Sequence, residues 1–135
     1  MIEHVDVHFD DLDLMGIVHN ARYAVLVERA ISAFWTRNGH GFDRSKTLFA
    51  VAEFTINYRV PIVRLGPVGV EFWLDRLGTS SAIYGYRVVS DDVVHADGKR
   101  VMIQLDPVTR RPAPWPAETR AVAEQLLAKE PAHQG

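Results

Sequence analysis

The sequence predicts an α+β domain in which an antiparallel sheet of about five strands wraps around one long central helix. Three observations predict it. Apolar residues recur with a period of two at the start of the chain and again through its second half, with a helical period between. The single long helical stretch carries an apolar stripe too wide for a helix lying on a surface. The later period-two runs follow one another through short turns, which makes neighbouring strands antiparallel. Such a sheet needs one face covered, and only that helix is available to cover it.

The elements follow in order. Val5, Val7 and Phe9 alternate with His4, Asp6 and His8, the pattern of a half-buried strand. Residues 10–16 are acidic and close on Gly16, so the chain turns there. From Ala21 the period changes: Tyr23, Leu26, Val27, Ala30, Ile31, Phe34 and Trp35 fall on one stripe. Asn20 is a suitable N-cap, and Gly39 and Gly41 mark the stop. Residues 48–60 form the next strand region, ended by Pro61. Val68, Val70, Phe72 and Leu74 give another strand, and residues 77–80 a turn. Ala82, Tyr84, Tyr86 and Val88 form a third, Asp97-Gly98 reads as a hairpin turn, and Val101, Ile103 and Leu105 lead out to Pro107. The expected order is strand, buried helix, then four strands in a meander. Residues 107–116 are Pro-rich, and residues 117–129 are expected to form a short terminal helix. The domain is expected to span residues 1–116, with 117–135 a helix and tail of the same domain.

Composition narrows the function. At 135 residues, with 47% hydrophobic side chains and 24% charged, the chain suits one soluble domain with a full core. A net charge of −2 argues against a nucleic-acid partner. No run of eighteen apolar residues offers a membrane span, and the acidic, alternating N-terminus is wrong for a signal peptide. With no cysteine there is no disulfide, thiolate zinc site or cysteine nucleophile. The expectation is a cytoplasmic protein without cofactor or metal. His4, Asp6 and His8 share one strand face and could hold a metal, but an exposed polar face is the plainer reading.

Residues 7–28, VHFDDLDLMGIVHNARYAVLVE, resemble the signature of the 4-hydroxybenzoyl-CoA thioesterase group of hotdog proteins. Asp13, Gly16, Val18, Asn20, Ala21, Arg22, Tyr23 and Glu28 match it in place. Weaker landmarks are Ile56-Asn57-Tyr58 before Pro61, Arg76-Leu77-Gly78 before Ser80-Ser81, and Asp106. The chain departs from the commonest pattern at Leu12, Met15 and His19, which bears on acyl preference more than on chemistry. The resemblance implies the hotdog fold, a dimer or dimer of dimers with active sites at the interface, and hydrolysis of an acyl-CoA or acyl-carrier-protein thioester. It implies that Asp13 is the catalytic carboxylate and that the backbone N–H of Asn20 polarises the thioester carbonyl.

The chemistry suits these residues. A thiol has a pKa of about 8.5, so a thiolate leaves without an acid to protonate it. The enzyme needs a carboxylate, as nucleophile or as base on water, and donors for the carbonyl oxygen. The start of a long helix supplies unpaired N–H groups and a positive dipole end. Asp13 stands shortly before Asn20, and Gly16 lets the loop fold back. Without the motif, Asp13 would read as a solvated loop carboxylate and Asn20 as a simple cap. His19 invites a His–Asp pair, against the plainer reading of a pocket wall or surface histidine. Asp11 reads as a turn residue, and Glu28 as a salt-bridge or interface residue.

The acyl tunnel is expected to be apolar and to draw on Gly16, Ile17, Val18, Tyr23, Val27 and Ile31, with Phe34 and Trp35 core by default. Arg64, Arg76, Lys99 and Arg100 lie near turns and could meet the phosphates of CoA, or be solvated charges. No serine elbow or phosphate-cradling glycine loop competes. Two other classes do: a hotdog hydratase or dehydratase, which would need a catalytic pair on the helix, and an acyl-binding or scaffold protein without turnover.

Overall fold

A computed structural model describes residues 1–40 and 48–127 of the chain. Five antiparallel strands form one sheet: β1 (Ile2–Val7), β2 (Leu48–Tyr58), β3 (Gly66–Leu77), β4 (Ser81–Ser90) and β5 (Val93–Leu105). The long helix α1 (Tyr23–Arg37) follows β1, and a short helix α2 (Ala117–Glu124) follows the sheet. The architecture is the expected one, a single sheet curled around one long helix. Gly41 and residues 128 and 129 of the anticipated tail helix lie outside the described residues.

The spatial order is β1-β3-β4-β5-β2. Only β3, β4 and β5 make the meander; β2 crosses the sheet to pair with β5, contrary to the four-strand meander expected. Period-two patterning marks β2 as a strand but does not set its partner, and the register with β5 runs from Leu48↔Leu105 to Tyr58↔Ala96. β2 has β5 on one edge and no partner on the other among the described residues, and most of its side chains are exposed.

The stripe on α1 does what its spacing demands. Leu26, Val27 and Ala30 are fully buried, and Phe34 is nearly so. They pack on the concave face of the sheet with Val68, Val70 and Phe72, where the Phe34 and Phe72 rings meet edge to face at 5.8 Å. Each such Leu, Val or Phe contributes about 1.5–3 kcal/mol on removal from water. Ala123 of α2 and Leu126 just after it join the same core, and Leu127 forms a bridge to Leu74.

Two local expectations change. Asp97-Gly98 is not a turn: both lie inside β5, where Gly98 faces Ile56 on β2 and Tyr86 on β4. The β4–β5 turn is Asp91-Asp92, both with positive φ (46° and 65°), the backbone a tight hairpin requires. Gly98 is needed for a different reason. A Cβ there would stand 1.9 Å from the Thr55 carbonyl oxygen. Phe9 is not on the buried face of β1 either; the strand stops at Val7, and Phe9 lies exposed in a 3-10 turn, Phe9–Asp11.

Candidate active site

The segment between β1 and α1 is built around Asp11. Its side chain is fully buried and accepts from the His8 N–H (2.8 Å) and from Arg22 Nε (2.7 Å), with Arg29 Nη1 at 3.8 Å. Its carbonyl accepts from the His19 N–H at 2.8 Å. One residue thus ties the strand end, the loop exit and the helix together. Burial pushes the Asp11 carboxyl up, but the His8 amide and the two guanidiniums outweigh it and hold the group below the ordinary carboxylate range.

The loop of residues 12–18 hangs from that anchor. Leu12 and Val18 bridge its two arms, and the Asp13 N–H donates to the Ile17 carbonyl at 2.8 Å. Gly16 takes the left-handed conformation that closes the loop, with φ 76°. The Asp13 carboxylate uses one oxygen, Oδ1, to accept from the Met15 N–H (2.8 Å) and the Ile17 N–H (3.4 Å). Among the described residues no donor reaches Oδ2.

The helix entrance differs from the expected cap at Asn20. Asn20 begins a 3-10 turn, Asn20–Arg22, and α1 proper starts at Tyr23. His19 caps that turn, its Nδ1 accepting from the Ala21 N–H at 3.1 Å, while the N-cap of α1 itself is Arg22, with no side-chain cap bond. The local reason is the tight turn: the Arg22 N–H reaches back to the His19 carbonyl at 2.9 Å, which brings the imidazole over the next amide. No acceptor for the Asn20 N–H is found among the described residues.

Asp13, Ile17, Val18, His19, Asn20 and Tyr23 line one open cleft of about 320 Å³. Its other wall is Tyr58 and the residues 59–61 that follow β2, with His95 from β5. Tyr58 Oη donates to the Asn20 carbonyl at 2.9 Å, and the Tyr58 ring meets that of Tyr23 edge to face at 5.3 Å. His95 is buried and holds the 59–61 wall: its Nδ1 lies 2.8 Å from the Val60 carbonyl, its Nε2 2.5 Å from Ser90 Oγ. His95 carries no local sequence signal and Tyr58 only the weaker Ile56-Asn57-Tyr58 landmark; sheet register brings both here. Burial pushes the Tyr23 hydroxyl's pKa up, so the ring faces the cleft as a neutral phenol.

Other anticipated site residues lie elsewhere. Gly16 is exposed on the loop and Val27 is buried in the core; neither lines the cleft. Ile31 and Trp35 line a second cavity beyond the middle of α1. Of the basic residues considered for CoA, Arg64 pairs with Asp91 (3.0 Å), Lys99 pairs with Asp75, and Arg100 is buried beside Glu28. Arg76 is exposed and has no ion pair among the described residues. Among the described residues no group of three or more His, Asp or Glu could hold a metal ion, and no helix is long and apolar enough to cross a membrane.

Solved structures share this fold. The PA5185 protein of Pseudomonas aeruginosa superposes with a TM-score of 0.88 at 19% identity, covering 97% of this chain and 94% of that one. A hypothetical protein of Thermus thermophilus, TT1821, gives 0.83 at 26% identity over 93% and 98%. The DHNA-CoA thioesterase of Staphylococcus aureus gives 0.82 at 17% over 92% and 88%. No curated protein sequence matches the chain. The model of the thioesterase superfamily matches residues 15–96, more than half of the sequence. The chain therefore belongs to the thioesterase superfamily, as a thioester hydrolase built on the hotdog fold.

Proposed function

We propose that the protein hydrolyses an acyl-CoA thioester in the cleft at the start of α1, with Asp13 as the attacking or water-activating carboxylate and the Asn20 N–H as the carbonyl's donor. The observation that carries this is the pairing of two unspent groups. Oδ2 of Asp13 has no donor and the Asn20 N–H has no acceptor among the described residues, and both residues line one cleft. A thioester carbonyl set against the Asn20 amide would find its charge met at the positive end of α1 as the tetrahedral centre forms. The thiolate then leaves unprotonated, so the reaction needs no imidazolium, and His19 Nδ1 already serves as the cap. The apolar walls of Tyr23, Tyr58, Val18 and Pro61 suit an aromatic or fatty acyl group. An aromatic one is in keeping with the Staphylococcus aureus structure, which is that of a DHNA-CoA thioesterase.

The reading includes a homodimer, or a pair of dimers, in the cytoplasm. The open edge of β2, with Phe49 and Val51 exposed, is the kind of edge that a second copy covers by continuing the sheet. The chemical assignment is tested by Asp13→Asn. The amide keeps the size and one acceptor oxygen but removes the charge. The expected result is a fall in kcat of ~10²-fold or more with acyl-CoA affinity little changed and the melting temperature kept. A folded Asp13→Asn enzyme with near-normal turnover sinks the assignment.

A further inference from the structure

A second cavity of about 600 Å³ lies between the later turns of α1 and the concave face of the sheet near β5 and β2. It shares no lining residue with the Asp13 cleft. Its volume is within the range that small ligands occupy. Ile31, Trp35, Phe49, Val51 and Met102 make most of its wall apolar.

Several polar side chains interrupt that wall, Gln104 among them with a buried Oε1 that has no partner among the described residues; the two that matter here are both buried, Arg100 at 5% exposed and Tyr84 at 4%. They are direct partners in the β4–β5 register, so their side chains stand together on one face. Neither is spent. Arg100 has five N–H donors. Its one hydrogen bond among the described residues is a long one, 3.4 Å from Nη2 to Glu28 Oε1, and that carboxylate lies mostly in solvent. Tyr84 Oη accepts from Trp35 Nε1 at 2.9 Å, and its own proton has no acceptor among the described residues. Burial pushes the Tyr84 phenol up to about 12, so that proton stays in place at neutral pH. A buried guanidinium with one weak partner is costly, and the cost falls when an anion completes it. Glu28 and Glu118 also line the cavity, so the anion must enter past them with its charge directed at Arg100.

We propose that this cavity binds a carboxylate carried at the end of an apolar body, with Arg100 and Tyr84 holding the carboxylate and the Ile31–Trp35 side of α1 holding the body. The carboxylate has two sources: the far end of an acyl group whose thioester lies at Asp13, or a free acid. The first rests on the proposed function and the second does not.

The test titrates octanoate, and 1-octanol as its neutral counterpart, into the full-length protein by calorimetry. Octanoate should bind, and Arg100→Met should weaken it about tenfold or more, the size of a charge-assisted pair. Tyr84→Phe, which retains the ring and is the safer variant for folding, should weaken it several-fold, with 1-octanol little affected by either change. No binding of octanoate at millimolar concentration, or equal affinity in folded wild type and both variants, overturns the proposal. Turnover then separates the sources. If the acyl group carries the carboxylate, Arg100→Met lowers kcat/KM for suberyl-CoA relative to octanoyl-CoA by about tenfold. If that ratio holds while octanoate binding is lost, the site takes a free acid. Failure to hydrolyse any thioester would defeat the proposed function and leave the octanoate result standing.

Discussion

Replacing Asp11 with Asn tests how the loop that carries Asp13 is anchored. The substitution keeps the volume and one acceptor oxygen, and removes the charge that meets Arg22 at 2.7 Å and Arg29 at 3.8 Å. It also turns one acceptor into a donor facing the His8 N–H or the guanidinium. Two charge-assisted hydrogen bonds become at best one neutral bond, which costs about 1–1.5 kcal/mol each. The guanidiniums are partly solvated, at 34% and 39% exposure, so the unpaired charge adds only about 1 kcal/mol more. The sum, about 3–4 kcal/mol, sits at the lower end of the cost of breaking a buried pair. For a chain of this size it corresponds to a fall in melting temperature of roughly 10 °C, read by circular dichroism at pH 7. The pH dependence has a definite sign. The folded carboxyl titrates below the unfolded one, so its stabilisation is present above the unfolded value and is lost as pH falls through the folded value. The gap between wild type and variant should therefore close below about pH 4. A gap under about 2 °C at neutral pH, or one that persists undiminished into acid, would refute the anchoring role.

Two further substitutions probe the frame. Gly98→Ala places a Cβ 1.9 Å from the Thr55 carbonyl oxygen and 2.8 Å from Tyr86 Oη, which donates to that carbonyl. Neither atom can move without parting β2 from β5, so a loss of about 1–3 kcal/mol in denaturant unfolding is expected, and an unchanged midpoint would contradict it. His19→Ala removes the cap on the Ala21 N–H and should cost about 0.5–2 kcal/mol. Its kcat should fall far less than that of Asp13→Asn; a greater fall would make histidine the base.

How much of this was legible in the sequence depends on how local each cause is. The stripe from Tyr23 to Phe34 was plain because burial on α1 repeats with the helical period. Gly16 and the loop it closes were legible through the motif, since a tight loop leaves a short, contiguous pattern. Asp97-Gly98 misled because the pair is a common hairpin signal, whereas the glycine here answers to a carbonyl on another strand. The true turn, Asp91-Asp92, contains no glycine to announce it. Phe9 continued the alternation of β1 in type, but Asp11 pulls the backbone into a 3-10 turn before it. Asn20 looked like the cap of the long helix, and only the turn geometry shows a 3-10 turn capped by His19 with Arg22 at the N-cap of α1. His95 and the pairing of Tyr84 with Arg100 were out of reach, and so was the place of Tyr58 in the cleft despite its landmark, because each depends on a register that no local pattern encodes.

The placement of β2 bears on how the chain is made. β2 leaves the ribosome directly after α1, but its only ladder partner among the described strands is β5, the last strand of the sheet. β1 likewise waits for β3. Until the β3–β5 hairpins exist, the nascent chain holds a long apolar helix with only β1 to pack against and a strand without its ladder partner. Pairings of such large sequence separation are slow to close, and a waiting strand is the part of a chain most open to wrong partners. The crossover that puts β2 on the outer edge of the finished sheet thus makes its synthesis a race between correct closure and association.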